Sequence, residues 1–500
     1  MDATLTAQAA AAGAARPAIC TLISSKTAVW LVAAAGFGVE MAVSGRYGYV
    51  RDELYFLACG RHLAWGYVDQ PALTPLLARL DAAITGNTLV GLRALPALGL
   101  AALVLLTVAM ARAQGAGRGG QLLAAIATAC CAEYLAAMHE LTTTPVDFVF
   151  WAASLLAVTK LLASADTRWW LALGGCAGIG MDAKWNIGFL LAALAAGFAF
   201  TPAARPLLRS RYLAGAAVLF AVLASPDFVW QALHGWPNVA VFGHLQQQAW
   251  QNRALYWPLQ VVYTSIVLAP LWVGGIMRAL RDARLRVVGI AAVTVIVAQF
   301  ALGGKPYYPG GIYTFCFAAG ATALAGRPLR RRAVSYVFAA AVSTVISLPL
   351  LPAAALAQFP VQKVNYDLGE EIGWPSQVAL LAHAYDALPA WQRSVAVVVA
   401  GNYGEAGAVD RYGAALGLPQ VYSGANDYWL WGPPPPRDTV AVAINVAPAL
   451  LRRWFSSVRV AAVYRNGLGV SDDEEGAVVY VASGPRSPWA AAWPSFRDYS

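Results

Sequence analysis

Charge is scarce in this 500-residue chain. Only 12% of its residues are Asp, Glu, Lys or Arg, against roughly 25% in a soluble domain. Histidine is rarer. His62, His139, His234, His244 and His383 form neither HxH nor HExxH, so spacing indicates no dedicated zinc site. The six cysteines (Cys20, Cys59, Cys130, Cys131, Cys176 and Cys316) contain no CxxC pair and suggest no disulfide framework. No Walker motif appears, and GCAGIG at 175–180 lies within an apolar run, where it reads as helix packing. A nucleotide donor therefore has no support. The 45 Gly and 28 Pro follow no strict period, which excludes a collagen-like chain. Residues 1–25 are Ala-rich and nearly uncharged and lack a clean signal peptide.

What is abundant is apolar surface. Hydrophobic residues make up 59% of the chain, and the mean hydropathy is +0.54. That excludes disorder and points to a polytopic membrane protein. A span needs about 20 apolar residues. Candidate runs are 27–44, 91–111, 121–138, 147–165, 170–182, 187–201, 212–229, 257–277, 286–303, 309–326 and 333–352. The expected fold is thus a membrane all-α bundle of about 11 transmembrane helices, with 170–201 either a tight hairpin or a broken helix. Residues 1–26 form a cytoplasmic segment and 27–352 the membrane domain. Residues 353–500 contain four Val-rich runs, 394–400, 439–446, 458–464 and 477–483, and a helical stretch at about 404–417. They read as a small C-terminal α/β domain.

The charges that exist are sorted. Residues 1–352 carry a net +12 and residues 353–500 a net −3. With the N-terminus inside, the cytoplasmic loops hold 16 basic residues and the outer loops eight. That bias sets topology and is no nucleic-acid footprint. It places the C-terminal domain outside the cell. The acids follow the opposite rule. Asp52, Glu53, Asp69, Asp81, Glu140, Asp147, Asp182 and Asp227 all fall on the outer side or its membrane edge. Ionisable groups at membrane depth are costly and mark function by default, so the chemistry is expected to face outward.

The first outer loop, 45–90, is long and aromatic. Leu73, Leu76, Leu77 and Leu80 make one helical stripe, as in a helix lying on the membrane surface. Asp69 and Pro71 stand where a cap and a first-turn residue would. Asp52 and Glu53 sit among Tyr47, Tyr49, Arg51 and Tyr55. A carboxylate there can take a proton from an incoming hydroxyl, or it can simply cap a helix. Asp69 can likewise bind a sugar hydroxyl or cap its helix. Glu140 and Asp147 are two helical turns apart, but Pro145 interrupts them. Lys184 in MDAKWN and Lys305 in GGKPYYPGG are the outer-side lysines of the membrane domain. Each can meet a lipid phosphate or serve as an interfacial anchor. His234, in LHGWPN, is a candidate wall of the same space.

Taken in order, RDELYF (51–56), GYVDQPALTPLL (66–77), TTPVDFVFW (143–151), GIGMDAKWN (178–186), HGWPN (234–238) and KPYYPGG (305–311) resemble a known superfamily. It is that of the polytopic, polyprenyl-phosphate-sugar-dependent glycosyltransferases, especially family 39, with the protein mannosyltransferases and the lipid A aminoarabinose transferases. The likeness runs over roughly residues 27–330. NYGEAGAVDRYG (402–413) and SGANDYWLWGPP (423–434) resemble the outer domain of bacterial members.

The resemblance implies a GT-C-like fold in the cell (inner) membrane. It implies an inverting transfer from a polyprenyl-phosphate-linked sugar donor to a glycan, lipid or protein acceptor outside the cytoplasm. Asp52, with Glu53 beside it, would be the catalytic base. Lys184, Lys305 and Arg51 would hold the donor phosphate. Asp69, Glu140, Asp147, His234, Tyr307 and Tyr308 would bind substrate. No cofactor is implied, and a divalent metal is left open. Gln70 and Ala72 depart from the commoner His-Pro or Pro-Pro pattern. The rival reading is a transporter or flippase using the same charges as a pathway. Transporters place charges near the midplane and show inverted repeats; these acids cluster at one rim, and no repeat is visible.

Overall fold

The computed structural model of the chain describes residues 25–324 and 333–499. Nearly all of the expected N-terminal segment, with Arg16, lies outside the described residues, as do Arg327, Arg330, Arg331 and Arg332.

The apolar runs are helical: Ser25–Val43, Leu89–Ala113, Arg118–Ala129, Thr143–Ser164, Trp169–Met181, Ile187–Ala199, Arg211–Leu233, Ala249–Tyr263 with Ala269–Arg281, Arg286–Leu302, Tyr313–Ala323 and Ala333–Ser347. Among the described residues four helices are long and apolar enough to cross a membrane, or up to six if each of two bent pairs is one span. Short polar side chains start several of them. The Thr88 hydroxyl accepts the Gly91 N–H at 3.1 Å, and the Ser210 hydroxyl accepts the Tyr212 N–H at 3.1 Å. The 170–201 region is a hairpin of two helices joined by a turn at 182–186.

Two runs differ from their expected form. The run 121–138 breaks at Cys130 and Cys131, and a separate short helix, Ala132–Ala137, follows. The run 257–277 is bent; the helix pair around it turns by 81°. Ser265 adopts φ +67, and Pro270 opens the next helix. A proline has no N–H to continue the preceding ladder, and apolar content alone does not register a bend. The reading of GCAGIG as packing holds at Gly178, where a Cβ would lie 2.8 Å from the Leu223 Cβ.

The first outer loop contains helices Arg51–Arg61 and Leu73–Thr85. In the second, Leu76, Leu80 and Ile84 point outward while Thr74, Pro75 and Ala78 face the protein. The apolar stripe is therefore exposed on the protein surface, as a helix lying on a membrane requires. Asp69 does not cap it. The N-cap is Ala72, with no side-chain bond, because Asp69 is held elsewhere.

The C-terminal segment forms one five-stranded sheet of β1 (Ala396–Ala400), β2 (Val421–Ser423), β3 (Val440–Ile444), β4 (Phe455–Val463) and β5 (Val478–Pro485). Their order is β2-β1-β3-β5-β4. β1 pairs in parallel with β2 and β3, while β5 is antiparallel to β3 and β4. β1 and β3 are buried throughout, which is why their runs read as continuous rather than alternating. β2 is three residues long and has no such run. The sheet does not bury its core alone. Tyr49, Leu54, Tyr55, Leu57 and Leu92 share one apolar cluster with Trp374, Val398, Val442 and Val479. Helix Tyr403–Tyr412 lies on helix Arg51–Arg61 so closely that a Cβ at Gly407 would stand 2.8 Å from that of Leu54.

Candidate active site

Helix Arg51–Arg61 places Asp52 and Glu53 in its first turn, but the two carboxylates do different work. Glu53 is fully buried and accepts the Val50 N–H at 2.9 Å, which closes the helix start. Its oxygens also take two bonds from Arg93, at 2.9 and 3.1 Å. Arg93, equally buried, reaches Glu371 at 3.2 Å and donates to the carbonyls of Gly48 and Ser44. His139 accepts from Arg93 on Nε2, so its proton sits on Nδ1, facing Glu40 at 3.2 Å. Burial and then the Arg93 charge hold His139 well below its usual pKa, hence neutral. This network knits the first loop to the membrane helices. Glu53 belongs to it rather than to an open site.

Asp52 is half-buried, and its Oδ1 accepts the Tyr403 hydroxyl at 3.0 Å. Nearby are the two outer lysines. The Lys184 ammonium lies 5.2 and 5.1 Å from the ring centres of Tyr307 and Tyr308, and that of Lys305 lies 5.9 Å from Tyr307. Lys184 also donates to the Thr144 hydroxyl at 3.0 Å. Burial lowers Lys184 to about 8; the charge of Lys305 adds to this, while Asp147 and Asp52 oppose it. Asp147 is fixed by Asn186, whose amide donates to it at 2.9 Å and to the Tyr308 carbonyl at 2.9 Å. Asp367 and Glu140 complete the cluster. Burial and the Asp52 charge raise Asp367, against Lys305 and Arg51. Burial, Asp367, Glu53 and Asp52 raise Glu140. Asp52, Glu140, Asp147, Lys184, Lys305, Tyr307 and Tyr308, distant in sequence, thus share one polar region.

Three expected site residues have other engagements or lie exposed. Arg51 is engaged by Glu370 at 3.1 Å and Asp473 at 2.9 Å, and it lies over the Tyr403 ring. It ties the loop to the C-terminal segment, and two carboxylates already engage its guanidinium. His234 is exposed, stacked on Trp230 with ring centres 4.0 Å apart. Asp69 sits 3.0 Å from the Tyr55 hydroxyl, which also lies 2.6 Å from Asp427. One hydroxyl carries one proton, so both contacts are hydrogen bonds only if one of the two carboxyls is protonated. Burial, then the charge of Asp427, raises Asp69 well above the carboxylate range, and burial lifts Asp427 to about 7. Asp69 is a joint between the first loop and the C-terminal sheet.

The sequence reading missed Tyr403, Asp367, Arg93 and Asp427. One signal was present: Asn402 and Glu405 form a capping box, visible as N-x-x-E, which places Tyr403 at a helix start. Nothing in the spacing tells that Tyr403 meets Asp52, 351 residues away. Among the described residues, no group of three or more His, Cys, Asp or Glu stands ready to hold a metal ion.

Residues 69–230 match the dolichyl-phosphate-mannose-protein mannosyltransferase family. No curated protein sequence matches. Among solved structures the chain is similar to ArnT from Cupriavidus metallidurans in the apo state, with TM-score 0.61 and 15% identity over 90% of this chain and 97% of that one. The same protein bound to undecaprenyl phosphate gives TM-score 0.56 and 17% identity, again over 90% and 97%. The arabinofuranosyltransferase AftD from Mycobacteria gives TM-score 0.50 and 15% identity, over 92% of this chain and 42% of AftD. At such identities the likeness is one of fold. The family match and the fold bear out the resemblance carried by the ordered motifs.

Proposed function

We propose that this chain, family-39-like over residues 69–230 and of the GT-C fold, is an integral-membrane glycosyltransferase. It moves a sugar from a polyprenyl-phosphate donor to a glycan, lipid or protein acceptor on the extracytoplasmic face of the inner membrane. The observation that carries this reading is the placement of Asp52 in one polar region with Lys184 and Lys305. A base and a paired cationic site are what such a transfer needs.

In the proposed reaction Asp52 takes the proton of an acceptor hydroxyl. Tyr403 occupies Oδ1 and leaves Oδ2 for this task. The acceptor oxygen forms a bond to the anomeric carbon as the bond from that carbon to the phosphate oxygen breaks on the opposite face, which inverts the centre. The polyprenyl phosphate leaves with the electron pair and gains charge. Lys184 and Lys305 meet that growing charge, the most effective place for electrostatic stabilisation. Phosphate is already a good leaving group, so no general acid is required. The undecaprenyl phosphate bound to the ArnT neighbour supports a donor of this class.

The test is release of polyprenyl phosphate from a polyprenyl-phosphate-sugar donor by the purified protein. In the free protein the Lys184 ammonium is present below a pH of about 8 and lost above it. kcat/KM should therefore fall as pH rises through about 8. Lys305→Met removes a neighbouring positive charge, so this limb should move to higher pH while turnover drops. An alkaline limb that does not move in Lys305→Met, with donor binding and turnover unchanged, would make Lys305 an anchor only.

Orientation has its own test. A reporter fused after Ser500 should be active outside the cytoplasm, and one in the 278–286 loop active inside. The motive is the 16-to-8 bias in basic residues. The reverse pattern would overturn both the orientation and the outward-facing site.

A further inference from the structure

A second cleft lies beside the first loop, away from the lysines. Its volume is about 530 Å³, within the range of about 300–1,000 Å³ usual for small-molecule sites. Arg46, Tyr47, Tyr49, Glu371, Arg411 and Tyr412 contribute to its walls. Arg46 and Arg411 are both exposed, and among the described residues neither forms a salt bridge. Arg411 lies over the rings of Tyr49 and Tyr412, at 5.6 and 5.8 Å, and donates one bond to the Asn87 carbonyl at 3.3 Å. Tyr49 is only 4% exposed, yet its hydroxyl has no hydrogen-bond partner among the described residues. The one acid in the wall, Glu371, is already engaged by Arg93. The cleft therefore presents two exposed guanidinium groups that carry no ion pair among the described residues, beside the tyrosines.

Guanidinium forks match phosphate geometry, and aromatic faces pack against the C–H face of a sugar ring. We infer that this cleft binds the phosphate-bearing sugar of a membrane-anchored acceptor, with Arg46 and Arg411 on the phosphate and the partly exposed Tyr47 and Tyr412 beside the ring. Thr88 and Leu89, also in the wall, begin a helix of membrane-crossing length. With that helix taken as a span, its start sets the cleft at the level of the lipid head groups, within reach of a lipid-anchored ligand. Helix Tyr403–Tyr412 joins the two places. Tyr403, at one end, touches Asp52, while Arg411 and Tyr412, at the other, line the cleft. At ~1.5 Å per residue that separation is about 13 Å. An acceptor gripped by its acidic sugar would offer Asp52 a hydroxyl further along the same glycan. Naming the ligand as the acceptor rests on the glycosyltransferase reading; the sugar-phosphate site does not.

The experiment is a titration of the purified full-length protein, in neutral detergent, with glucose 6-phosphate, inorganic phosphate and glucose. Glucose 6-phosphate should bind best. Its affinity should fall about tenfold or more in Arg46→Gln/Arg411→Gln, the scale of one lost charged hydrogen bond, and should hold in Lys305→Met. Arg46→Gln alone, at an exposed position, gives a smaller drop and guards against misfolding of the pair. Unchanged affinity in a folded double variant overturns the proposal. So does loss of binding in Lys305→Met instead, which would assign the phosphate to the lysines. Inorganic phosphate binding as tightly as glucose 6-phosphate overturns it as well, since no sugar would be read. Binding is measured without turnover. Arginine-dependent binding by a protein that releases no polyprenyl phosphate keeps the cleft and refutes only the transferase reading.

Discussion

Asp52→Asn should transfer sugar about 10²–10⁴-fold more slowly than the parent, the usual scale for a lost general base. The substitution keeps the shape of the side chain and an oxygen able to accept the Tyr403 hydroxyl, so the helix start and its contact with the C-terminal sheet should survive. Glu53, one residue away, cannot substitute, because both its oxygens are taken by Arg93 and the backbone in a buried setting. Donor affinity and thermal stability should stay near the parent values while turnover falls. Tyr403→Phe should lose much less, because it removes one hydrogen bond to the base rather than the base itself. Near-normal turnover in folded Asp52→Asn would eliminate it from the mechanism and turn attention to Asp367, the carboxylate in the same polar region.

Arg93→Met should be strongly destabilising. Methionine fills the stem volume but leaves Glu53 and Glu371, both essentially inaccessible to solvent, without their cation. Breaking a buried pair from one side costs about 3–5 kcal/mol, because the remaining charge has no compensation. Two carboxylates are orphaned here, along with the carbonyls of Gly48 and Ser44. Arg61→Met is the matched control. Its pair with Asp410 is open to solvent, and such pairs contribute about 0–1 kcal/mol. Thermal unfolding of the two variants in the same detergent should show a large drop for Arg93 and almost none for Arg61. Adding Glu53→Gln and Glu371→Gln to Arg93→Met should restore part of the loss by removing the stranded charges. Equal stability of the two arginine variants would refute the network's structural role.

The same network shows where sequence reading reached its limit. Scarce charge and long apolar runs determined that this is a membrane protein, because a hydrocarbon environment accepts little else. The helices fall where the runs do, with ends marked by Thr88, Ser210 and the Asn402–Glu405 box. Those are local effects, settled within a turn or two of chain. The Val-rich strands were legible for a similar reason, since β1 and β3 are buried on both faces. Asp52, Lys184 and Lys305 were legible as isolated charges at one rim, where each costs free energy and so demands a reason.

What the residues do to one another was not legible. Glu53 and Asp52 are adjacent and chemically alike. One is locked by an arginine 40 positions away, and the other is open beside a tyrosine that starts a C-terminal helix. Arg51, a plausible phosphate ligand by composition, is committed to Glu370 and Asp473. Asp69, which looks like a helix cap, shares a proton-bearing junction with Tyr55 and Asp427. Local sequence carries no term for pairings across hundreds of residues. Whether a charge is spent on architecture or left free for substrate depends on which partner the tertiary fold brings within about 3 Å, where hydrogen bonds form.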